Sequence, residues 1–345
     1  MMPIKGKYER LLARRAPLED RQLYNFSEAF QSQQGEATKY IIGAMAPMAQ
    51  RYTQRLIEQG NRVENQLKTR LTAEYPALAF RRQGSVSNNT HIKFHSDVDV
   101  LTIIDKFETL EPPQLPAIPY TGDTSNDMLT LRNRVATELE NAFPKAKVDN
   151  TGATCVSIEG GSLLCSVDAV PANWFNTVAW NTSKEERDRA IQVYNRESKQ
   201  RTKNFPFLFN YRIDQHDSAW SGVARALIRL LKSIKGDHEQ SGPDVEIDFS
   251  SFDICSLVYR MPIEFLNGFR WEPLKLVHGL LKWMATVLND AQLRQTLLVV
   301  DDSRLIFNSA SKEQGLRVLF DDLLEIYQQA EKECQGRSLI TEAHL

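Results

Sequence analysis

The sequence predicts an α+β protein in which a mixed α/β half is followed by a mostly helical half. Short apolar runs typical of strands alternate with helical patterns in the first half. From about Asp214 to the end, apolar spacings of three and four residues dominate instead. We expect the two halves to meet near residues 195–213.

The first elements are a long helix and two strands. Helical spacing of apolar residues from about Gly35 to Leu71 predicts one long or broken spine helix, interrupted near Gly60. A short strand is expected at residues 77–80, directly before Gly84-Ser85, and the next strand at residues 96–104.

A proline-rich loop separates these strands from a second helix and a hairpin. Residues 111–125 contain too many prolines for regular structure, and a helix is expected from about Asn126 to Phe143. Two β-rich runs flank Gly160-Gly161, which predicts a hairpin whose second strand carries Asp168 and ends at Pro171.

The second half is expected to consist of helices joined by short connections. The last segment, residues 338–345, has no helical pattern, so we expect a flexible tail there and consider it a candidate contact for a protein partner. The predicted helices cover residues 217–235, 252–260, 272–289 and 312–333.

The composition indicates a soluble globular protein of about two domains. The chain has 345 residues, 42% of them hydrophobic, and a formal net charge of -2. It contains no run of about 18 apolar residues and no secretory signal, so we expect a cytoplasmic protein without a membrane span. The balanced charge gives no strong signal for nucleic-acid binding. The four cysteines are far apart and form no CxxC pair, which argues against a zinc ribbon and a disulfide framework.

Two aspartates stand inside an otherwise apolar run. Side chains at i and i+2 of a strand point to the same face, so Asp97 and Asp99 are expected to project together. Their charges repel unless a cation lies between them, and carboxylate oxygens suit Mg²⁺ or Mn²⁺ better than Zn²⁺. A neighbouring strand with Asp168 would add a third carboxylate, enough to hold two ions for phosphoryl transfer. The alternative is a pair of exposed polar residues on a half-buried strand.

Gly84 and Ser85 directly follow an expected strand. Glycine lets backbone amides approach an anion closely, and a helix that begins there adds its N-terminal N–H groups. The sequence therefore predicts a phosphate-binding turn beside the carboxylates.

The combination of Gly84-Ser85, Asp97-Val98-Asp99 and Asp168 resembles the pattern of polymerase-beta-like nucleotidyltransferases. Over about residues 80–260 the sequence is similar to the CD-NTases, the bacterial relatives of cyclic GMP-AMP synthase and oligoadenylate synthase that act in antiphage signalling. One departure is Asn89-Thr90, where many relatives have Gly-Thr.

The resemblance implies a bilobed molecule with the active site between the lobes. One lobe would be a mixed sheet with flanking helices and an N-terminal spine helix, and the other a C-terminal helical domain. We place the first domain at residues 1–205 and the second at residues 206–345.

The resemblance also implies roles for four residues of the helical half. The run "LIRLLK" is similar to the family segment whose Arg and Lys bind the donor triphosphate, here Arg229 and Lys232, which their i, i+3 spacing lets reach one anion. The run "FSSFDICSLVY" is similar to the segment that gives a hydroxyl to the triphosphate and a ring to the base, here Ser251 and Phe252. The alternatives are a solvated basic face for the first pair, and Ser250 as a helix cap with Phe252 in the core for the second.

The implied activity is metal-dependent condensation of NTPs into a cyclic di- or trinucleotide second messenger, with release of pyrophosphate. Two Mg²⁺ ions, or Mn²⁺, held by Asp97, Asp99 and Asp168 would be the cofactors. ATP, GTP or both are the expected substrates, and pyrimidine NTPs stay open. Two alternatives also stay open: a template-independent transferase that adds nucleotides to RNA or protein, and a catalytically silent nucleotide-binding module.

Overall fold

The structure is a computed structural model that describes residues 4–15, 35–93, 96–240, 247–266 and 272–342, with side chains described from Gly6 to Gln335 within these ranges. The chain forms two compact units that are interleaved in sequence. The helical unit comprises Met1–Met48, Thr90–Phe94 and Ile213–Leu345, and the sheet unit comprises Ala49–Asn89 and His95–Arg212. The division into domains at residues 205/206 stays a prediction.

The α-helices of the described residues begin and end as follows. In chain order they are α1 (Ile4–Arg15), α2 (Glu36–Met45), α3 (Gln50–Leu71), α4 (Gly84–Ser87), α5 (Thr124–Ala142), α6 (Val178–Ser183), α7 (Pro206–Ala219), α8 (Val223–Glu239), α9 (Ser251–Tyr259), α10 (Pro273–Asn289), α11 (Ala291–Arg294) and α12 (Ala310–Glu342). None of these helices combines the length and the apolar character that crossing a bilayer requires.

The strands of the described residues form one mixed sheet in the sheet unit. Strand β2 runs parallel to β5, and every other pair of neighbours is antiparallel. The order is β1-β2-β5-β4-β3, with β6 also pairing with β5 and β7 with β6. The bounds are β1 (Ala79–Gln83), β2 (Val98–Leu110), β3 (Ala146–Asp149), β4 (Val156–Gly160), β5 (Val167–Asn176), β6 (Arg189–Asn195) and β7 (Gln200–Asn204).

The main core of the sheet unit lies between α3, α5 and one face of the sheet. Apolar residues recur at helical spacing along α3 and α5 and alternate along the strands, so each element contributes one apolar face. Burial of these faces fixes which strand residues point inward. Members of this core include Leu56, Val63, Leu67, Leu131, Val135, Leu139, Val98, Val100, Val167 and Ala169.

The spine helix is interrupted earlier than the sequence predicts. Helix α2 ends at Met45 and α3 begins at Gln50, since Pro47 lacks the N–H that a continuous helix would need. Gly60 lies inside α3, so the predicted break near it is wrong. A Cβ on Gly60 would stand 2.8 Å from Cγ1 of Val98, which means that the glycine allows α3 to pass close to the start of β2.

The predicted end of the hairpin is also wrong, because Pro171 lies inside β5. It falls between the residues of β5 that pair with β4 and those that pair with β6. A missing N–H is tolerated at such a gap in the ladder.

The hairpin of β6 and β7 was not predicted either, since β7 is a short polar sequence, QRTKN, that lacks the apolar alternation of a strand.

The helical unit confirms the predicted helical character of the second half. Helices α8, α9, α10 and α12 correspond to the four predicted helical segments. The expected tail at residues 338–345 is wrong in part, because α12 continues to Glu342. The proposed protein contact there stays a prediction, and residues 343–345 lie outside the described part of the chain.

Candidate active site

Two carboxylates face each other across the parallel strand pair in the sheet unit. Asp99 of β2 and Asp168 of β5 are register partners, and Asp97 immediately precedes β2. The buried residues on either side of Asp99, Val98 and Val100, point into the core, so strand alternation turns Asp99 to the opposite face. The structure thus brings Asp99 and Asp168 together as the sequence predicts.

The three carboxylates interact through their charges. Burial, followed by the charges of Asp168 and Asp97, raises the pKa of Asp99 to about 7, against the smaller opposing effect of a backbone hydrogen bond. A carboxyl group that shares a half-buried space with two others resists ionisation unless a cation is present. The arrangement is therefore an acidic site with an electrostatic demand for positive charge.

The donor set fits Mg²⁺ or Mn²⁺ in its chemistry, because both prefer carboxylate oxygens. Among the described residues, no group of three or more His, Cys, Asp and Glu side chains is already arranged to hold a metal ion. Binding of an ion would relieve the repulsion that raises the pKa of Asp99.

Gly84 lies against one of these carboxylates. It begins α4 with a φ of 84°, in the left-handed region that favours glycine. A Cβ at this position would stand 2.0 Å from Oδ2 of Asp99, so only glycine leaves room for the carboxylate. Ser85 follows at the start of α4 and is half-buried. The predicted phosphate-binding turn and the acidic site are therefore adjacent.

Asn89 explains how this chain departs from the Gly-Thr pattern of the resembling family. Its φ is 56°, again in the left-handed region. Asparagine adopts this conformation more readily than other non-glycine residues do. The substitution therefore keeps a backbone conformation that glycine would also allow.

Two cysteines that the sequence interpretation did not assign to the site lie beside the carboxylates. Burial, then the charge of Asp168, raises the pKa of Cys155 to about 11. Burial, then the charge of Asp97, raises the pKa of Cys165 to about 12. Both thiols are therefore protonated at neutral pH. The only sequence signal was their position, just before β4 and just before β5.

The helical unit holds Arg229 and Lys232 in buried positions on α8. Their exposed fractions are 3% and 9%, so the alternative of a solvated basic face is wrong for this pair. The Arg229 Nε donates to the carbonyl of Met45 at 3.0 Å, and the Lys232 Nζ donates to the carbonyl of Thr90 at 2.9 Å.

Burial lowers the pKa of Lys232. Cys255 opposes this effect, whereas the charges of Arg229 and Lys93 add to it. Lys232 forms no ion pair with an acidic side chain within the described ranges. Two buried cations that are held by backbone carbonyls are suited to an anionic ligand.

The start of α9 carries Ser251 and Phe252. Ser250 caps this helix and forms a capping box with Asp253, as the alternative interpretation expected. Phe252 is only half-buried, however, so its assignment to the core is wrong, and Ser251 is exposed. Cζ of Arg304 lies 5.6 Å from the centroid of the Phe252 ring.

The predicted site residues thus fall into one set in each unit. The carboxylates and Gly84-Ser85 belong to the sheet unit, whereas Arg229, Lys232, Ser251 and Phe252 belong to the helical unit. That both sets serve one nucleotide site stays a prediction.

A mixed sheet that carries a Gly-Ser turn against paired aspartates on adjacent strands is the arrangement that the resemblance to polymerase-beta-like nucleotidyltransferases implies. No family model matches the chain. The chain is 34% identical over 305 residues, covering 87% of its length and 78% of the relative, to a cyclic dinucleotide synthase CdnE of Yersinia aleksiciae. The chain therefore belongs to the bacterial CD-NTases, as the resemblance indicated.

Further relatives agree with this assignment. A c-di-GMP synthase of a Lachnospiraceae bacterium is 27% identical over 320 residues, which cover 85% of this chain and 88% of the relative. The solved structure of a STING-associated CdnE c-di-GMP synthase from Capnocytophaga granulosa has a TM-score of 0.79 and 27% identity. The match covers 96% of this chain and 99% of that one. The predicted α+β class and nucleotidyltransferase activity are confirmed.

Proposed function

We propose that the protein joins two nucleoside triphosphates into a cyclic dinucleotide and releases pyrophosphate. The observation that carries the proposal is the register of Asp99 with Asp168, beside Gly84, in a chain 34% identical to a cyclic dinucleotide synthase. Three of the relatives are named c-di-GMP synthases, which supports GTP as a substrate. The proposal includes a role for the cyclic dinucleotide product as a second messenger in antiphage defence, which the family supports.

The acidic site would hold two Mg²⁺ ions, or Mn²⁺, through Asp97, Asp99 and Asp168. Such ions neutralise phosphate charge and make an acceptor hydroxyl more acidic. Gly84 keeps the backbone close enough for phosphate oxygens to approach, and Ser85 offers a hydroxyl donor. Asp168 would help to accept the proton of the attacking ribose hydroxyl.

The cations and the aromatic residue of the helical unit would bind the donor nucleotide. Arg229 and Lys232 are buried positive groups whose charge a triphosphate would offset. Ser251 is exposed at the first turn of α9 and would donate to a phosphate oxygen. Phe252 would stack on the base without choosing it, because every base has a π face.

Product analysis tests the proposal. The purified protein is incubated with all four NTPs and Mg²⁺ or Mn²⁺, and the products are separated and identified by mass spectrometry. We expect a small product that resists phosphatase, because a closed ring has no terminal phosphate. An elongated RNA or labelled protein would instead support the template-independent transferase, and nucleotide binding without pyrophosphate release would support the silent module.

The double variant Asp97→Ala with Asp99→Ala should abolish the product, because it removes two of the three carboxylates. Glu140→Ala, which removes an exposed acidic residue of α5, is the control and should keep full activity. Full activity in the double variant would reject the acidic site.

A further inference from the structure

A hairpin of the helical unit carries an arginine to the side of Phe252. The hairpin, residues 297–306, is closed by a β-bridge between Leu298 and Leu305. It is hydrogen-bonded to α9 and to Arg260, the residue that follows α9: the Val300 N–H donates to Oγ of Ser256 at 3.1 Å, and Arg260 Nε donates to the Leu298 carbonyl at 2.9 Å. Phe252 and the hairpin therefore share one frame.

Arg304 contacts the ring from this hairpin. Its Cζ lies over the ring at 5.6 Å from the centroid, which is within the about 6 Å of a cation–π contact. A planar base that stacks on the same face, beside the guanidinium, would have this group at its edge.

Asp253 fixes the orientation of the guanidinium. This residue is completely buried, and its Oδ1 accepts from Nη2 of Arg304 at 2.7 Å. Its other oxygen accepts from Nζ of Lys312 at 3.0 Å and from Oγ of Ser250 at 2.8 Å. Although burial alone would raise the pKa of Asp253, the hydrogen bonds from Ser250, Arg304 and Lys312 lower it. Arg304 is thus ion-paired with the buried Asp253 carboxylate, whose own position is fixed by further hydrogen bonds from Lys312 and Ser250.

The guanidinium keeps donors for a ligand. It has five N–H groups. One is used by Asp253, and one on Nη1 is used by the Leu305 carbonyl at 2.9 Å. The structure gives Arg304 no other hydrogen-bond acceptor among the described residues, and its side chain is 33% exposed.

We propose that Arg304 donates to the O6 and N7 edge of a guanine stacked on Phe252 and so makes this nucleotide site prefer GTP to ATP. The proposal rests on the proposed function, because it takes Phe252 as the ring that holds a base. Guanine presents two acceptors on this edge, and a guanidinium fork matches them. Adenine places a donor amino group where guanine has O6, so it loses one hydrogen bond and opposes another donor. Phe252 would thus bind either base by stacking, and Arg304 would discriminate guanine from adenine.

Equilibrium binding of non-hydrolysable GTP and ATP analogues tests the proposal without turnover. We expect the wild-type protein to prefer the GTP analogue by about tenfold or more. Arg304→Lys keeps the positive charge beside Asp253 but not the planar fork, so it should reduce this ratio to near one. Arg317→Lys, the same change at an exposed residue of α12 that pairs with Glu313, should keep the wild-type ratio.

A second measurement needs no variant. A 7-deazaguanosine analogue lacks the N7 acceptor, so it should bind the wild-type protein several-fold more weakly than the GTP analogue does. The inference is overturned if wild type shows no preference for guanine, if Arg304→Lys keeps the full preference, or if the 7-deaza analogue binds as well as the parent. Intact guanine preference without any pyrophosphate release would contradict the proposed function alone.

Discussion

The mutual repulsion of the three aspartates changes the pKa of a single residue, Asp99. The pKa of Asp99 is raised to about 7, whereas an aspartate in an unfolded chain releases its proton near pH 4. Without divalent ions, the folded state therefore holds a proton that the unfolded state has lost. This advantage of the folded state is complete below about pH 4 and is lost as the pH rises through about 7.

We therefore predict that the free energy of unfolding in EDTA falls between pH 5 and pH 8 by about 2–4 kcal/mol more in wild type than in Asp99→Asn. Urea titrations at the two pH values measure the difference. Adding Mg²⁺ at pH 8 should restore stability in wild type but much less in Asp99→Asn. Glu140→Gln should retain the wild-type pH dependence, and an identical slope in Asp99→Asn would contradict the prediction.

Gly84 offers a test of the close approach between the turn and Asp99. Gly84→Ala should destabilise the protein by about 1–3 kcal/mol because of its left-handed backbone. It should also lower turnover by about a hundredfold, because the new Cβ displaces the Asp99 carboxylate. Steady-state kinetics and thermal unfolding measure the two effects.

Gly160→Ala is a matched control for this substitution. Gly160 also has a positive φ, of 77°, but a Cβ there would meet nothing within 4 Å. We expect a similar loss of stability and near-normal turnover. If both variants lose activity equally, the contact with Asp99 is not the cause.

At the scale of elements, the strand pattern predicted the site better than the helix pattern did. Asp99 and Asp168 sit in β-rich runs, so strand alternation indicated the face on which each side chain lies. That their two strands are neighbours was a condition of the prediction, and the register of β2 with β5 meets it. For Arg229 and Lys232 on α8, the helix pattern leaves a solvated basic face as the alternative to a role in triphosphate binding, but the structure buries both side chains. Their partners, the carbonyls of Met45 and Thr90, are far away in sequence, so no local pattern could reveal this burial.

Helix α8 provides a prediction about anion binding. Lys232→Met should weaken binding of an NTP by about tenfold to a hundredfold, because it removes a charge-assisted hydrogen bond. Stability should change by less than about 2 kcal/mol, since loss of a buried charge offsets loss of the bond to the Thr90 carbonyl. Nucleotide titration and urea unfolding measure the two quantities.

Lys235→Met on the same helix is the control. Lys235 donates to the Ile247 carbonyl at 2.7 Å and pairs with Glu239 at 2.9 Å. Nucleotide affinity should stay unchanged in this variant. Equal weakening in both variants would mean that general positive charge, rather than the buried position of Lys232, accounts for the effect.

At the scale of the whole molecule, the chain order and the compact units do not coincide. The α/β and helical halves were predictable from residue periodicity, because periodicity reports local structure. The grouping of α1 and α2 with the helical unit was not, because it depends on contacts such as the ion pair between Arg14 and Asp237 at 2.8 Å. Asp237 also accepts from the Tyr40 hydroxyl of α2.

Fragments distinguish the two ways of dividing the chain. A fragment of residues 49–212 contains the whole main sheet core and should unfold cooperatively. A fragment of residues 1–205 leaves the apolar face of α2 without α8 and α12, and should bind a hydrophobic dye such as ANS. Calorimetry and dye fluorescence measure both, and a dye-free, cooperative 1–205 fragment would favour the division at 205/206.

The parallel register of β2 with β5 also links the geometry of the acidic site to the stability of the fold. A shift of one residue in the register of β5 would turn Asp168 to the opposite face of the sheet. The same shift would remove Val167 and Ala169 from the hydrophobic core. A molecule with its acidic groups separated is therefore also an unstable molecule. A chain with the wrong register at this strand pair is therefore poorly populated, and the folded molecules have Asp99 and Asp168 side by side.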